Sequence, residues 1–198
     1  MSTEANNCSF TNCSGTSCTL SCAANVLFHA DPTDFGAYNG QEWFAFLEVE
    51  DRYAAYDFET SPGNEVQTLR AITVGTAINY GALEPAANTG ASNATTTIAN
   101  LGNVAIDIEV VGTDLTDGNQ SIIPANQQRF STSTFTYSSC VTCAQLSSTT
   151  PAETGLLLLK PANSTPPVAA TVYWGIAVPF GTLGRTHSGT NVFTPIDP

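Results

Sequence analysis

The 198-residue chain reads as an all-β protein built as an antiparallel β-sandwich. Three observations carry that expectation. Charged residues make up only 11% of the chain, well below the roughly 25% usual in soluble domains, and Ser, Thr, Asn and Gly supply the polar surface instead. About eight apolar-alternating runs follow one another at turn spacings of about 8–12 residues, separated by Gly, Pro, Asn, Asp and Ser clusters. No run carries a convincing helical period. The one short candidate, "DRYAAYDF" (51–58), is aromatic and is flanked by strand patterns.

The elements follow in order. "CTLSCAANVLFHA" (18–30) is a strand, and "ADPTDFGAYNG" (30–40) is a loop rich in turn formers. "EWFAFLEVE" (42–50) puts Trp43, Ala45, Leu47 and Val49 on one parity, as a strand with one dry face requires. "FETSPGNE" (58–65) is a turn-rich joint. After it come strand signals at 67–74, 78–83 and 94–101. "NLGNVAIDIEVVGTDL" (100–115) is the clearest: Val104, Ile106, Ile108 and Val110 alternate with Asp107 and Glu109. The spacing predicts a hairpin turn at Gly102-Asn103 feeding a strand whose wet side holds the two acids. "QQRFSTSTFTYSS" (127–139), "TGLLLLK" (154–160) and "VAATVYWGIAVP" (168–179) follow, and 168–195 reads as a closing hairpin with a long tip. Residues 1–66 hold too few strands for a sandwich of their own, so the expected division is a partial β module at 1–66 and a sandwich at 67–198. A partial module leaves an open sheet edge, and open edges pair with other chains.

Six cysteines stand at Cys8, Cys13, Cys18, Cys22, Cys140 and Cys143. An even count in a chain of this composition predicts disulfides and an oxidising compartment. Zinc is the lesser reading, because the Cys-x2-Cys spacing of most zinc sites occurs once. "CVTC" also has the spacing of a redox motif, but its flanks read as a loop rather than a βαβ unit, which favours a local staple. An extended run between Cys18 and Cys22 spans about 13 Å, too far for a bond between them, and leaves Cys8 or Cys13 as their partners.

"INYGALEPAANTGASNATTTIANLGNVAIDIEVVG" (78–112), with its Asn100-Leu101-Gly102-Asn103 turn, and "VYWGIAVPFGTLGRTHSGTNVF" (172–193) carry a resemblance. Residues 68–195 resemble the immunoglobulin-like modules of tandem-repeat exported surface proteins of bacteria, small-genome candidate phyla among them, and of archaea. "EWFAFLEVED" (42–51) looks like the last strands of a preceding repeat that lacks its opening strands. The resemblance implies an immunoglobulin-like sandwich in a non-catalytic structural or adhesive module. It implies an extracellular or cell-surface location, with neighbouring copies or adjacent modules as partners. A filament subunit joined by β-strand addition is one form this takes. Fold alone does not settle function.

The net charge is −12, with one lysine, Lys160, and four scattered arginines. Phosphate binding needs clustered cations, so nucleic acid is not expected as a partner. No apolar run reaches the length of a membrane span, and the start "MSTEANNCSF" lacks the basic and apolar regions of a signal peptide.

Ten of the 17 acids lie in residues 1–65. Asp31 and Asp34 flank a tight turn, and Glu50, Asp51 and Asp57 stand near the joint. Calcium takes 6–8 oxygens from carboxylates and loop carbonyls, so these five are the candidate calcium ligands, against the plainer reading of a solvated acidic rim. Asp114 and Asp117 in "TDLTDGN" are a weaker set.

Asp107 and Glu109 have Cα atoms about 6.6 Å apart, within reach of glycosidase geometry, but strand alternation explains them without chemistry. A Ser-His-Asp triad through His187 with Ser138 or Ser188 lacks a supporting G-x-S-x-G motif, and His29 has no motif around it. A secreted hydrolase therefore ranks last. Aromatic residues Trp43, Phe44, Phe46, Tyr173, Trp174, Phe180 and Phe193 offer a sugar-stacking platform, making a carbohydrate-binding module and glycan partners the second reading. Sequons stand at Asn7, Asn12, Asn93, Asn119 and Asn163. Lys160 raises the idea of an isopeptide crosslink, which Pro161 directly after it disfavours.

Overall fold

The computed structural model of the chain describes residues 7–14, 17–23, 25–50, 52–163 and 165–198. The protein is all-β with antiparallel pairing throughout the described strands. The chain divides into two compact units, Met1–Thr68 and Leu69–Pro198.

The first unit holds two separate hairpins. Strands β1 (Asn7–Ser14) and β2 (Ser17–Ala23) pair with Cys8 opposite Cys22 and Phe10 opposite Leu20. Strands β3 (Phe46–Glu50) and β4 (Tyr56–Thr60) form the second. Polar backbone contacts close the loops. Trp43 and Asn64 exchange N–H···O bonds of 2.8 and 2.9 Å. Buried Thr33 donates its N–H to the Val66 carbonyl at 2.8 Å and accepts the Val66 N–H on its hydroxyl at 2.9 Å. Neither hairpin has a second apolar layer in this unit. The expected dry face of residues 43–49 is therefore not dry: Trp43 and Val49 are exposed and Leu47 is half-buried. Strand 18–30 is shorter than expected, ending at Ala23. The short helical candidate at 51–58 is instead a turn over 52–54 leading into β4.

The second unit is a two-sheet sandwich. Its strands are β5 (Ile72–Val74), β6 (Ala94–Asn100), β7 (Asp107–Gly112), β8 (Leu115–Thr116), β9 (Ile122–Ile123), β10 (Gln128–Ser131), β11 (Ala144–Gln145), β12 (Ala152–Glu153), β13 (Val168–Ile176) and β14 (Asn191–Ile196). One sheet is five-stranded in the order β11-β10-β13-β6-β5, the other three-stranded in the order β12-β7-β14. A small β8–β9 hairpin stands apart. Period-two patterning assigns the faces. Ile98 on β6 and Val172 and Trp174 on β13 point inward from one sheet. Ile108 and Val110 on β7 point inward from the other, with Ile106 just before it. Buried Leu146, Leu156 and Leu158 fill the space from the connections. Trp174 packs tilted on Phe130 at 5.2 Å and edge-on to Phe193 at 6.0 Å between ring centres.

Two expected hairpins are crossovers between the sheets. β6 pairs with β13 and β5, whereas β7 pairs with β14 and β12, so the Gly102-Asn103 turn carries the chain from one sheet to the other. Fully buried Asn100 holds that crossing. Its Nδ2 donates to the Val104 carbonyl at 2.8 Å and to the Leu159 carbonyl at 3.1 Å, and its Oδ1 accepts the Gly102 N–H at 2.8 Å. A Cβ on Gly102 would collide with the Leu69 carbonyl oxygen. The closing segment is likewise a crossover, because β13 and β14 belong to different sheets.

Disulfides join Cys8 to Cys22 and Cys140 to Cys143. Cys13 is also disulfide-bonded, and the side chain of Cys18 lies outside the described residues.

Candidate strand-accepting groove

A groove of about 1380 Å³ in the second unit is flanked by β5 of one sheet and β14 of the other. Ile72 and Val74 line it from the first edge and Phe193 from the second, with Ile78 and Tyr80 contributed by the connection after β5. These five side chains are half-buried and pack against the core.

Backbone parity fixes which polar groups face outward. The Gly75 N–H bonds to Thr97 O at 3.0 Å and the Leu101 N–H to Ala71 O at 2.8 Å. Residues 71, 73 and 75 therefore spend their backbone groups on β6, and Ile72 and Val74 turn theirs away from it. The Thr113 N–H bonds to Thr190 O at 2.8 Å, which sets the same alternation on β14. Asn191, Phe193 and Pro195 direct their backbone groups away from β7. Both strands are the last in their sheets among the described residues. The groove is thus bordered by two rows of edge N–H and C=O groups over a floor of mixed apolar and polar side chains. Pro195 has no N–H to offer, which ends the usable β14 edge.

The floor also holds polar side chains. The Tyr80 hydroxyl donates to Gln128 Oε1 at 2.9 Å, while Gln128 Nε2 and the Thr96 hydroxyl, both buried, have no partner. Burial drives the Tyr80 phenol far above its ordinary value, because its anion would lose water.

At one end stands a polar staple that the sequence did not signal. His187 places Nε2 2.9 Å from the Ser121 hydroxyl and Nδ1 2.9 Å from the Arg185 carbonyl. A carbonyl only accepts, so Nδ1 carries the hydrogen. Ser121 Oγ also accepts the Leu183 N–H at 3.1 Å. The partner of His187 is therefore Ser121, 66 residues away, and neither Ser138 nor Ser188. Both ring nitrogens face a hydroxyl or a carbonyl rather than a carboxylate. Asp117 accepts the N–H groups of Asn119 and Ser121 and pairs with Arg185 at 3.1 Å. Those contacts, the Asn119 N–H first, hold its carboxyl below the ordinary range. Asp114 caps the Ala125 N–H at 2.8 Å.

The other expected site residues are dispersed. Asp31 gives its carbonyl to Trp43 Nε1 at 3.1 Å, and Asp34 Oδ1 accepts the Thr68 hydroxyl at 2.7 Å. Glu50 faces Tyr56 across the hairpin, and Asp57 faces Val49, so the two acids occupy opposite faces. Asp51 lies outside the described residues. Among the described residues no three His, Cys, Asp or Glu come together as a metal-holding group. Asp107 is not simply a wet residue: half-buried, its Oδ1 accepts the Leu156 N–H at 2.8 Å and the Ile108 N–H at 2.6 Å. Of the aromatic set, Trp174 is core, while Phe44, Phe46 and Phe180 are exposed. Asn93 accepts the Phe135 N–H at 2.9 Å, and Lys160 is half-buried. Among the described residues no helix is long and apolar enough to cross a membrane.

No family model matches the chain, and no curated protein or solved structure matches it.

Proposed function

We propose that the chain is a non-catalytic structural or adhesive module of an exported, cell-surface or extracellular protein, joined to neighbouring copies by β-strand addition. The observation that carries this reading is the groove: two sheet edges left open among the described residues, at β5 and β14, border one floor in which Ile72, Val74, Ile78 and Phe193 stand beside polar side chains. An incoming strand with alternating apolar residues gains backbone bonds from Asn191 and Phe193 and buries its dry face against Ile72, Val74 and Phe193. The disulfides support an oxidising location.

Topology supports an immunoglobulin-like reading of the second unit. That fold places strands A, B, E and D in one sheet and C, F and G in the other. Here β5, β6, β13 and β10 follow the A-B-E-D order, and β7–β14 follow C–F. The G position beside β14 carries no strand among the described residues. That is the position a neighbour's strand would fill.

The test is sedimentation of the purified chain across concentration, beside a Phe193→Lys variant. Concentration-dependent assembly that the variant weakens at least tenfold supports the reading. A monomer at high concentration, or assembly indifferent to Phe193, contradicts it.

A second reading, carbohydrate binding, is favoured by one observation. Phe46 and Phe58 stack at 5.8 Å between ring centres on one face of the β3–β4 hairpin and are both exposed. Exposed aromatic faces suit sugar stacking. A glycan array with a Phe58→Ser control tests it, and binding that survives the substitution, or no binding, removes it.

A further inference from the structure

We propose that the Cys140–Cys143 disulfide is a thiol-exchange site, at which the chain is reversibly reduced by, and transiently joined to, an external cysteinyl thiol. This stands apart from the groove and does not depend on strand addition.

Access is the first observation. Val141, inside the ring, is 95% exposed, Thr142 is exposed and both cysteines are half-buried, so a thiol can reach them; Cys8 and Cys22 are exposed too, and charge and backbone support set the two disulfides apart. The second is charge. The Arg129 guanidinium lies beneath the loop, donating from Nη1 to the Tyr137 carbonyl at 3.0 Å and the Cys140 carbonyl at 3.4 Å. It covers the Tyr137 ring at 4.8 Å, and its buried Nε has no partner. Among the described residues no carboxylate pairs with it. A half-buried, permanently charged guanidinium that pairs with no carboxylate among the described residues favours an anion formed near it, and it reaches the backbone carbonyl of Cys140, the residue whose thiolate it would favour. The third is backbone support. Cys8 and Cys22 are register partners on paired strands, so the ladder keeps their sulfurs close even when reduced. Cys140 and Cys143 lie in a bend between a 3-10 turn and β11, with no strand pairing to hold them together. Their disulfide re-forms from a less ordered dithiol.

Reduction takes two successive displacements. An external thiolate attacks Cys143 Sγ, a new S–S bond forms there, and the Cys140–Cys143 bond breaks with its electron pair leaving on Cys140, whose backbone carbonyl Arg129 holds. A second external thiolate then attacks the external sulfur of the mixed disulfide and releases Cys143 as a thiolate. Two electrons pass to the protein, the external thiols become one disulfide, and their protons end on the two protein thiols. Cys140 attacking back on the mixed disulfide reverses the first step.

The full chain is equilibrated in reduced and oxidised glutathione at graded ratios, quenched with iodoacetamide and mapped by peptide mass spectrometry. Cys140 and Cys143 are expected to open at a thiol-to-disulfide ratio at least tenfold below that opening Cys8–Cys22, with a glutathione adduct on Cys143 at intermediate ratios. In Cys143→Ser, the Cys140 thiol is expected to alkylate at pH 6.5 at least fivefold faster than Cys143 does in Cys140→Ser. Arg129→Gln in the first variant removes the advantage and Arg129→Lys restores most of it. Opening together with or after Cys8–Cys22 overturns the proposal. So do equal alkylation rates at the two sulfurs, which need no change at Arg129 and are read even if Arg129→Gln fails to fold.

Discussion

The Tyr80 hydroxyl donates a hydrogen bond to Gln128 Oε1 at 2.9 Å and ties the connection after β5 to the floor of the groove. Burial first, and Tyr137 nearby second, disfavour the Tyr80 anion in the folded chain. The unfolded chain ionises this phenol from about pH 10 upward, whereas the folded chain holds the proton to higher pH. Stability from this group is therefore complete below pH 10 and lost as pH rises beyond it, with a limiting slope of about 1.4 kcal/mol per pH unit. Urea unfolding at pH 8 to 11.5 checks this. Wild type should lose stability relative to Tyr80→Phe above pH 10, and parallel profiles would refute the buried hydroxyl.

Asn100 makes the crossing between the sheets. Replacing it with Ala leaves the Val104 and Leu159 carbonyls without their side-chain donor. The expected cost is about 2–3 kcal/mol, read by thermal or urea unfolding. An unchanged midpoint would mean that the crossing is held by other contacts.

Glu109 and Glu153 stand directly opposite each other on β7 and β12. Like charges so placed repel, and Glu153 is exposed. Glu153→Lys is expected to raise stability by up to about 1 kcal/mol, with the gain shrinking in high salt. A loss of stability would show that the strands do not meet in this register.

The alternation of residues 104–110 was enough to place Ile106, Ile108 and Val110 in the core, and each is fully buried. The same pattern located β6 and β13. Sheet membership was not legible, because a turn such as Gly102-Asn103 has the same local chemistry whether it closes a hairpin or crosses between sheets. In the first unit alternation misassigned burial at Trp43 and Val49, since a two-stranded hairpin has no second layer to bury a face. β1 was missed because in "NCSFTNCS" only Cys8 and Phe10 share a parity, too short a run to set a strand period. The groove had no local signature at all: its borders, Ile72–Val74 and Asn191–Phe193, are brought together only by the tertiary fold. His187 and Ser121 were invisible as partners for the same reason.

Pro195 ends the run of outward N–H groups on the β14 edge proposed to accept a strand. Its nitrogen faces away from β7 and carries no hydrogen, so strand pairing stops short of it. Pro195→Val supplies the missing donor without disturbing the ladder to β7. Self-association should tighten several-fold, measured by light scattering across concentration, while the unfolding midpoint of the dilute chain stays within about 0.5 kcal/mol. Association unchanged or weakened would show that this edge is not where chains meet.

The most direct test of the central claim is amide hydrogen exchange, residue by residue, on the dilute and the concentrated chain. Strand addition beside β14 predicts that the N–H groups of Asn191 and Phe193 slow at least tenfold on concentration, while those of residues 192 and 194, already bonded to β7, change little. Identical exchange at Asn191 and Phe193 under both conditions would contradict the account.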